Sequence, residues 1–159
     1  MDRPGLRTLR RSWLVLVPLV LASCGSGTGS GGAPRSADAS LKAADSAVRT
    51  AMTAYAAKVD QCRAAPSPVV CLETADRTLG NQIHTYANLL AVGRGFSAPR
   101  GALAVARNAA QTLANSLEIL GDAQPTQANY DQVRNTFDVS AAITALQRAV
   151  SAVQHSLGS

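Results

Sequence analysis

Side chains that could bind a metal or act in catalysis are few in this 159-residue chain, which has three cysteines and two histidines. Helical metal sites often place a glutamate three residues before a histidine, and neither His84 nor His155 has one. The sequence also lacks a Gly-x-Ser-x-Gly nucleophile elbow, and the Gly93-x-Gly95 segment is too short for a phosphate-binding loop. We therefore predict that the protein is not an enzyme and has no metal site and no cofactor.

Two carboxyl groups have a spacing that would allow them to act together. Glu73 and Asp76 are three residues apart, and on a helix this spacing places both on one face. Arg77 follows them directly. We therefore expect a solvated charge cluster here, and we expect His84 at the surface or boundary of the same helix.

The amino-terminal segment has the composition of an export signal. Residues 1–12 contain four arginines, and an apolar run from Trp13 to Ala22 follows. Ten helical residues span about 15 Å, half the thickness of a hydrocarbon core. This length is too short for a transmembrane helix and typical of a secretory signal peptide. Arg10-Arg11 weakly resembles a twin-arginine signal, and general secretion is the other possible route.

The segment Leu21-Ala22-Ser23-Cys24 closes this leader. It resembles the lipobox of bacterial lipoprotein precursors. The resemblance implies that the signal peptide 1–23 is removed and that the Cys24 thiol receives a diacylglycerol with palmitate-type chains. It also implies that the chain is anchored in the membrane through this lipid, on the outer face of the bacterial cytoplasmic membrane. The alternative is a secreted protein that is cut near Cys24 and keeps a free thiol.

The two other cysteines are expected to form a structural disulfide. Cys62 and Cys71 are nine positions apart and flank Ala65-Pro66-Ser67-Pro68, so an antiparallel helical hairpin that turns there brings them together. On the chain-entropy model, closing so short a loop contributes about 2–3 kcal/mol. A redox or metal-binding pair is the alternative, but a metal would need further Cys or His ligands nearby.

The region after Cys24 divides into a linker and a helical domain. Residues 24–37 are rich in Gly and Ser and predict a lipidated terminus with a flexible linker. Residues 38–159 contain four segments in which apolar residues recur at intervals of three and four, as in amphipathic helices. The clearest stripes are Leu41, Val48, Tyr55 and Cys62; Leu72, Leu79, Ile83, Tyr86 and Leu90; Leu103, Ala106, Ala110, Leu113, Leu117 and Leu120; and Val139, Ile143, Leu146, Val150 and Val153.

Polar residues and prolines predict where these helices begin. Asp38 or Ser40 is expected to cap the first helix, and Ser67-Pro68 supplies the N-cap and first position of the second. Ser97 is expected to cap the third. The Tyr130, Val133 and Phe137 stripe is out of phase with the last one. We therefore expect one helix that bends near Asp138, with a separate short helix over 127–137 as the alternative.

The fold predicted from these elements is all-α. The connections are short, so neighbouring helices should run antiparallel. The expected architecture is an up-down-up-down four-helix bundle behind the cleaved signal peptide and the flexible tether.

The charge and the surface composition of the chain indicate which classes of partner it could bind. The net charge is +5, but most of this excess lies in the leader, so we predict no nucleic-acid partner. Uncharged polar side chains recur in the second and third helices, where surface helices usually carry more charge. They suit an envelope protein or a glycan as partner, and Arg94 and Arg100 at the intervening turn could meet an acidic lipid or polymer.

Two functional hypotheses follow. The first is a non-enzymatic cell-envelope lipoprotein whose tethered helical domain binds or stabilises another envelope component. The second is a carrier that holds a small hydrophobic ligand or lipid inside the bundle. A continuous apolar cavity of several hundred Å³ would favour the carrier, whereas a filled core with an exposed binding face would favour the partner-binding protein.

Overall fold

The computed structural model describes residues 33–122, 126 and 128–158, which we call the helical region. Its elements are α1 (Ala33–Arg63), α2 (Pro68–Val92), α3 (Arg100–Asp122), α4 (Tyr130–Thr136) and α5 (Val139–Gly158), with no strand among the described residues. The all-α prediction is confirmed for this part of the chain. The predicted signal peptide, Cys24 and linker residues 25–32 lie outside the described residues.

Helix α1 begins earlier than the apolar stripe predicts. It starts at Ala33, so the last five residues assigned to the linker, 33–37, are helical. Asp38 and Ser40 therefore lie inside the helix and do not cap it. Asp38 instead accepts a hydrogen bond from the backbone N–H of Ser97 (2.8 Å), which joins α1 to the connection between α2 and α3.

The two hairpin connections follow the prolines and glycines closely. Ser67 is the N-cap residue of α2 and Pro68 occupies its first turn, as predicted, although the serine side chain makes no capping hydrogen bond. Helix α2 ends at Val92 with Gly93 as its C-cap, and Gly95 adopts a left-handed backbone conformation with φ of 81° in the connection. Helix α3 starts after Pro99, whose carbonyl accepts the first helical bond, so Ser97 does not occupy the predicted cap position.

The expectation of one bent helix near Asp138 is wrong, because the chain breaks there into α4 and α5. Asp138 has a positive φ of 48°, a conformation that ends a right-handed helix. Its carbonyl then accepts the first bond of α5, from Ala142. The break lets Tyr130 and Val139, which are out of phase on one continuous helix, both reach the core. This matches the alternative of a separate short helix.

Each long helix packs against two others. Helix α1 contacts α2 and α5, and α3 contacts α2 and α5, while the short α4 contacts α5. Leu41, Met52, Ile83, Leu113 and Leu146 are among the side chains with less than 2 % exposure in the shared core. No helix in the described part of the chain is both long and apolar enough to span a bilayer.

Candidate functional site

Two buried carboxyl groups are the least expected feature of the core. Asp45 in α1 and Asp76 in α2 are 0 % and 2 % exposed. Burying an ionisable group is costly unless hydrogen bonds or an opposite charge offset the lost hydration. The environment of each aspartate therefore decides whether it stabilises the fold or could do chemistry.

Asp76 lies at the centre of a four-residue cluster, which we call the Asp76 cluster. The Tyr55 hydroxyl of α1 donates to Oδ1 at 2.6 Å, and the Tyr130 hydroxyl of α4 donates to Oδ2 at 2.5 Å. Arg134 of α4 places its Nη1 atom 4.0 Å from Oδ1 and its guanidinium 5.2 Å from the centre of the Tyr55 ring. Side chains from α1 and α4 thus converge on one carboxylate of α2.

Both tyrosines of the Asp76 cluster act as hydrogen-bond donors. Burial raises the pKa of Tyr55 and of Tyr130 well above the ordinary value of a phenol, and the negative charge and hydrogen bonding of Asp76 raise both further. Arg134 acts in the opposite direction but does not reverse the shift. The two hydroxyls therefore stay protonated at physiological pH and hold the carboxylate between them.

Asp45 has a less complete environment. The Tyr86 hydroxyl of α2 donates to its Oδ1 atom at 2.6 Å, but its buried Oδ2 atom has no hydrogen-bond partner. Burial raises the pKa of Asp45, and the Tyr86 bond and the charge of Arg49 offset only part of this effect. Arg49 itself donates to Gln154 of α5 at 2.6 Å.

The burial of Asp76 corrects one of the expectations from sequence. A solvated cluster of Glu73, Asp76 and Arg77 was predicted, but Asp76 faces the core while Glu73 is half-buried and Arg77 is exposed. The two carboxyl groups therefore do not act as a pair on one exposed face. The Asp76 carboxylate is enclosed by hydroxyl donors from α1 and α4, so its hydrogen bonds join these two helices to α2.

Two open grooves lie on the surface near the Asp76 cluster. The α2/α3 groove, about 970 Å³, includes Glu73, Asn81 and His84 on one side and Ala114 and Glu118 on the other. A second groove of about 710 Å³ runs along α1, α4 and α5. Charged residues of α1 and α4 border it. His84 is exposed, as predicted. No group of three His, Cys, Asp or Glu side chains in the described residues could hold a metal ion.

Cys62 and Cys71 lie at disulfide distance, in agreement with the predicted pairing. Their sulfur atoms are 1.94 Å apart and their Cα atoms 5.3 Å apart. Cys62 is in the last turn of α1 and Cys71 in the first turn of α2, so the bond closes the hairpin at the prolines. The predicted lipidation site, Cys24, lies outside the described residues.

The uncharged polar side chains of α2 and α3 are exposed, and we call them the α2/α3 polar surface. They are Asn81, Gln82, Thr85 and Asn88 of α2 and Asn108, Gln111, Thr112 and Asn115 of α3. Ser116, the next residue of α3, is partly buried. On α2, Asn88 continues the stripe that includes Asn81 in the groove, and on α3 Gln111 continues the stripe that includes Ala114. Asn81 and Asn88 of α2 thus lie along one side of the groove, and Gln111 of α3 lies along the other.

Sequence reasoning missed the roles of Asp45 and Asp76, although a signal for both was present. Asp45 lies four residues after Leu41, and Asp76 lies four residues after Leu72, so both occupy positions of the apolar stripe. A tyrosine on a core stripe also needs a partner for its hydroxyl, and this need pointed to buried acceptors.

We compared the chain with models of protein families, with curated protein sequences and with solved structures, and found no match in any of the three.

Proposed function

We propose that this protein is a non-enzymatic lipoprotein of the bacterial cell envelope, anchored through Cys24, whose helical domain binds or stabilises another envelope component. The observation that carries the proposal is the pairing of Cys62 with Cys71. Disulfides persist in oxidising compartments outside the cytoplasm. The pairing also leaves Cys24, in its lipobox-like context, as the third cysteine of the chain.

We further propose that the four long helices form an up-down-up-down bundle with α4 as an accessory helix. The contacts of α1 with α2 and α5, and of α3 with α2 and α5, support a closed ring of neighbours. The short connections at 64–67 and 93–99 favour antiparallel hairpins. Such a bundle is a rigid body whose outer faces are available to a partner.

The α2/α3 polar surface is the face that we propose for the partner. Between Arg77 and Arg94 the only ionisable side chains on α2 are His84 and the buried Tyr86, and α3 carries no charged residue between Arg107 and Glu118. Exposed amides and hydroxyls cost less to desolvate than charges do. They also provide both donors and acceptors to a protein backbone or to the hydroxyls of a glycan.

The carrier hypothesis receives less support from the cavities. A carrier would need an enclosed apolar space of several hundred Å³. The two grooves described above are open to solvent, and charged or polar side chains contribute much of their lining. The positions between the helices are occupied by large buried side chains such as Leu79, Leu113 and Leu146. A filled core and an exposed polar face therefore favour the binding of a partner.

Metabolic labelling tests the anchor. Cells that express the full chain are given an alkyne-bearing palmitate analogue, and the protein is examined for incorporated label and for its distribution between membrane and soluble fractions. We expect Cys24→Ser to abolish labelling and to move the protein to the soluble fraction. A matched control, the double variant Cys62→Ser/Cys71→Ser, should still be labelled. Persistent labelling of Cys24→Ser would overturn the anchor.

Surface charge tests the binding face. In the double variant Asn88→Glu/Gln111→Glu, two exposed amides become carboxylates on α2 and α3. We expect the variant to lose cross-links to its partner at the cell surface, because each new charge must be desolvated without a counter-charge. The matched control Thr50→Glu/Ala145→Glu adds the same charge at exposed positions on α1 and α5 and should keep the cross-links. Equal loss in both variants would refute the assignment of this face.

A further inference from the structure

One end of the helical region is marked by the point where the chain from Cys24 enters α1. The bond from the Ser97 N–H to Asp38 sets the first turns of α1 beside the connection between α2 and α3. The bond from Tyr86 to Asp45 places the next turns of α1 beside the end of α2. The start of α1, the end of α2 and the start of α3 therefore form one end, which we call the entry end.

The entry end carries an excess of exposed basic side chains. These are Lys42 of α1, Arg94 in the connection, and Arg100 and Arg107 in the first three turns of α3. None of the four forms a salt bridge with a described residue. The acidic side chains at this end are already engaged: Asp38 accepts its bond from Ser97, and Asp45 is buried on Tyr86.

The opposite end has no such excess. Its exposed basic residues are accompanied by at least as many acidic ones, and Arg63 is paired with Asp60 at 3.5 Å. The exposed basic residues there are Lys58, Arg63, Arg77 and Arg148, and the exposed or half-buried acidic residues are Asp60, Glu73, Glu118, Asp131 and Asp138. The excess of exposed positive charge in the helical region therefore lies at the entry end.

We propose that the entry end docks onto the anionic phospholipid headgroups of the membrane. This inference rests on the proposed anchoring of the chain at Cys24. Nine residue steps separate Cys24 from Ala33, and a fully extended chain of this length spans about 30 Å at most. The anchor thus keeps the entry end within reach of the bilayer, whereas the other end of α2 lies about 37 Å further along the helix axis.

The size of the effect follows from the number of basic side chains. Each lysine or arginine close to an anionic membrane raises the equilibrium constant for binding to the membrane surface by about fivefold. Four such groups, opposed by the half-buried carboxylate of Asp38, give a preference of about a hundredfold for the docked orientation. The attraction falls off within a Debye length of about 10 Å at 0.1 M salt, so docking should weaken as the salt concentration rises.

The test attaches the chain to a membrane chemically, so that it does not depend on lipidation in cells. The chain from residue 24 to 159 contains every described helix, and its helical content is checked by circular dichroism. The Cys24 thiol is coupled to a maleimide lipid in vesicles of pure phosphatidylcholine or of phosphatidylcholine with phosphatidylglycerol. Hydrogen–deuterium exchange is then measured in the non-helical connections 93–99, at the entry end, and 64–67, at the opposite end.

We expect exchange in 93–99 to slow by at least about threefold on the anionic vesicles relative to the neutral ones, and to recover in 0.5 M salt. Exchange in 64–67 should be the same on both. The variant Lys42→Gln/Arg94→Gln/Arg100→Gln/Arg107→Gln should lose the protection. The matched variant Lys58→Gln/Arg63→Gln/Arg77→Gln/Arg148→Gln removes four basic charges at the other end and should keep it.

Two outcomes would overturn the docking inference. One is equal exchange in 93–99 on neutral and anionic vesicles. The other is equal loss of protection in the two charge variants, which would mean that net charge and not the entry end governs the orientation. Neither outcome bears on labelling of Cys24 in cells, so failure of this inference and failure of the proposed anchor can be told apart.

Discussion

The substitution Tyr130→Phe tests whether the Asp76 cluster holds α4 on the rest of the structure. It removes only the hydroxyl that donates to Asp76 Oδ2 and keeps the buried ring. Asp76 retains the bond from Tyr55 and the guanidinium of Arg134 at 4.0 Å. The carboxylate is 2 % exposed, so water cannot easily replace the lost donor.

The expected loss of stability can be estimated from these contacts. A hydrogen bond to a charged group contributes about 1.5–3 kcal/mol, and we expect a decrease of about 2 kcal/mol in the free energy of unfolding. With an unfolding entropy of about 2.1 cal/mol/K per residue over roughly 125 residues, the Tm should fall by about 8 °C. Isolated helices shorter than about 12 residues are marginal in water, so the seven-residue α4 depends on its tertiary contacts.

Urea unfolding followed by circular dichroism measures the global effect, and hydrogen–deuterium exchange locates it. We expect the amides of α4 to exchange about thirtyfold faster in Tyr130→Phe, which corresponds to a loss of about 2 kcal/mol in local stability. Tyr86→Phe is the matched control, because it removes the same group from the other buried aspartate, Asp45. It should lower global stability without a selective change in α4.

The reasoning would be refuted by either of two results. A change of less than about 0.5 kcal/mol in Tyr130→Phe would mean that the Asp76 hydrogen bond contributes little net stability. An equal acceleration of exchange in α4 by Tyr130→Phe and Tyr86→Phe would mean that α4 opens only with the whole structure, and that the Asp76 cluster does not fix it.

Three further predictions concern other parts of the core. Burial raises the pKa of Asp45 above its ordinary value of 3.8, so the folded state holds this proton more tightly than the unfolded chain, and the stability contributed by Asp45 should fall as the pH rises through the raised value. The difference in unfolding free energy between wild type and Asp45→Asn, measured by urea titration from pH 4 to 7, should therefore decrease with pH, and a constant difference would contradict this. Gly80→Ala should stabilise by about 0.5–1 kcal/mol through helix propensity, because its Cβ would meet Leu117 at 3.7 Å, an ordinary contact; a lower Tm would show that the helices cannot accept this methyl group. Cys62→Ser/Cys71→Ser should lower the free energy of unfolding by about 2–3 kcal/mol on the chain-entropy model, and a reducing agent should lower the Tm of the wild type but not that of the variant.

Much of the fold could be predicted because the relevant signals are local. Apolar residues at intervals of three and four, such as Leu72, Leu79 and Ile83, identify helices and the faces that they bury. Pro68 allows a helix to begin but not to continue through it, so the position of the first hairpin follows from a few neighbouring residues. The approach of Cys62 to Cys71 is a consequence of that hairpin.

The break at Asp138 could not be read from local sequence with the same ease. Two apolar stripes that are out of phase can both be buried by a bend or by a break, and the choice depends on where the other helices leave space. The structure uses a left-handed residue at Asp138, and the resulting change in direction brings Tyr130 to the core.

By itself, the sequence determined the helical class, the hairpin at the prolines, the pairing of cysteines and a lipobox-like segment that predicts an anchor. Only the tertiary structure decided that Asp45 and Asp76 are buried. It also decided which tyrosine hydroxyls donate hydrogen bonds to each carboxyl group. The stripe position of an aspartate is a local property, but its tolerance there depends on donors far away in the chain, such as Tyr130, which lies 54 residues after Asp76. The physical reason is that hydration lost by a buried carboxylate must be replaced by hydrogen bonds, and packing of the helices determines which side chains can supply them.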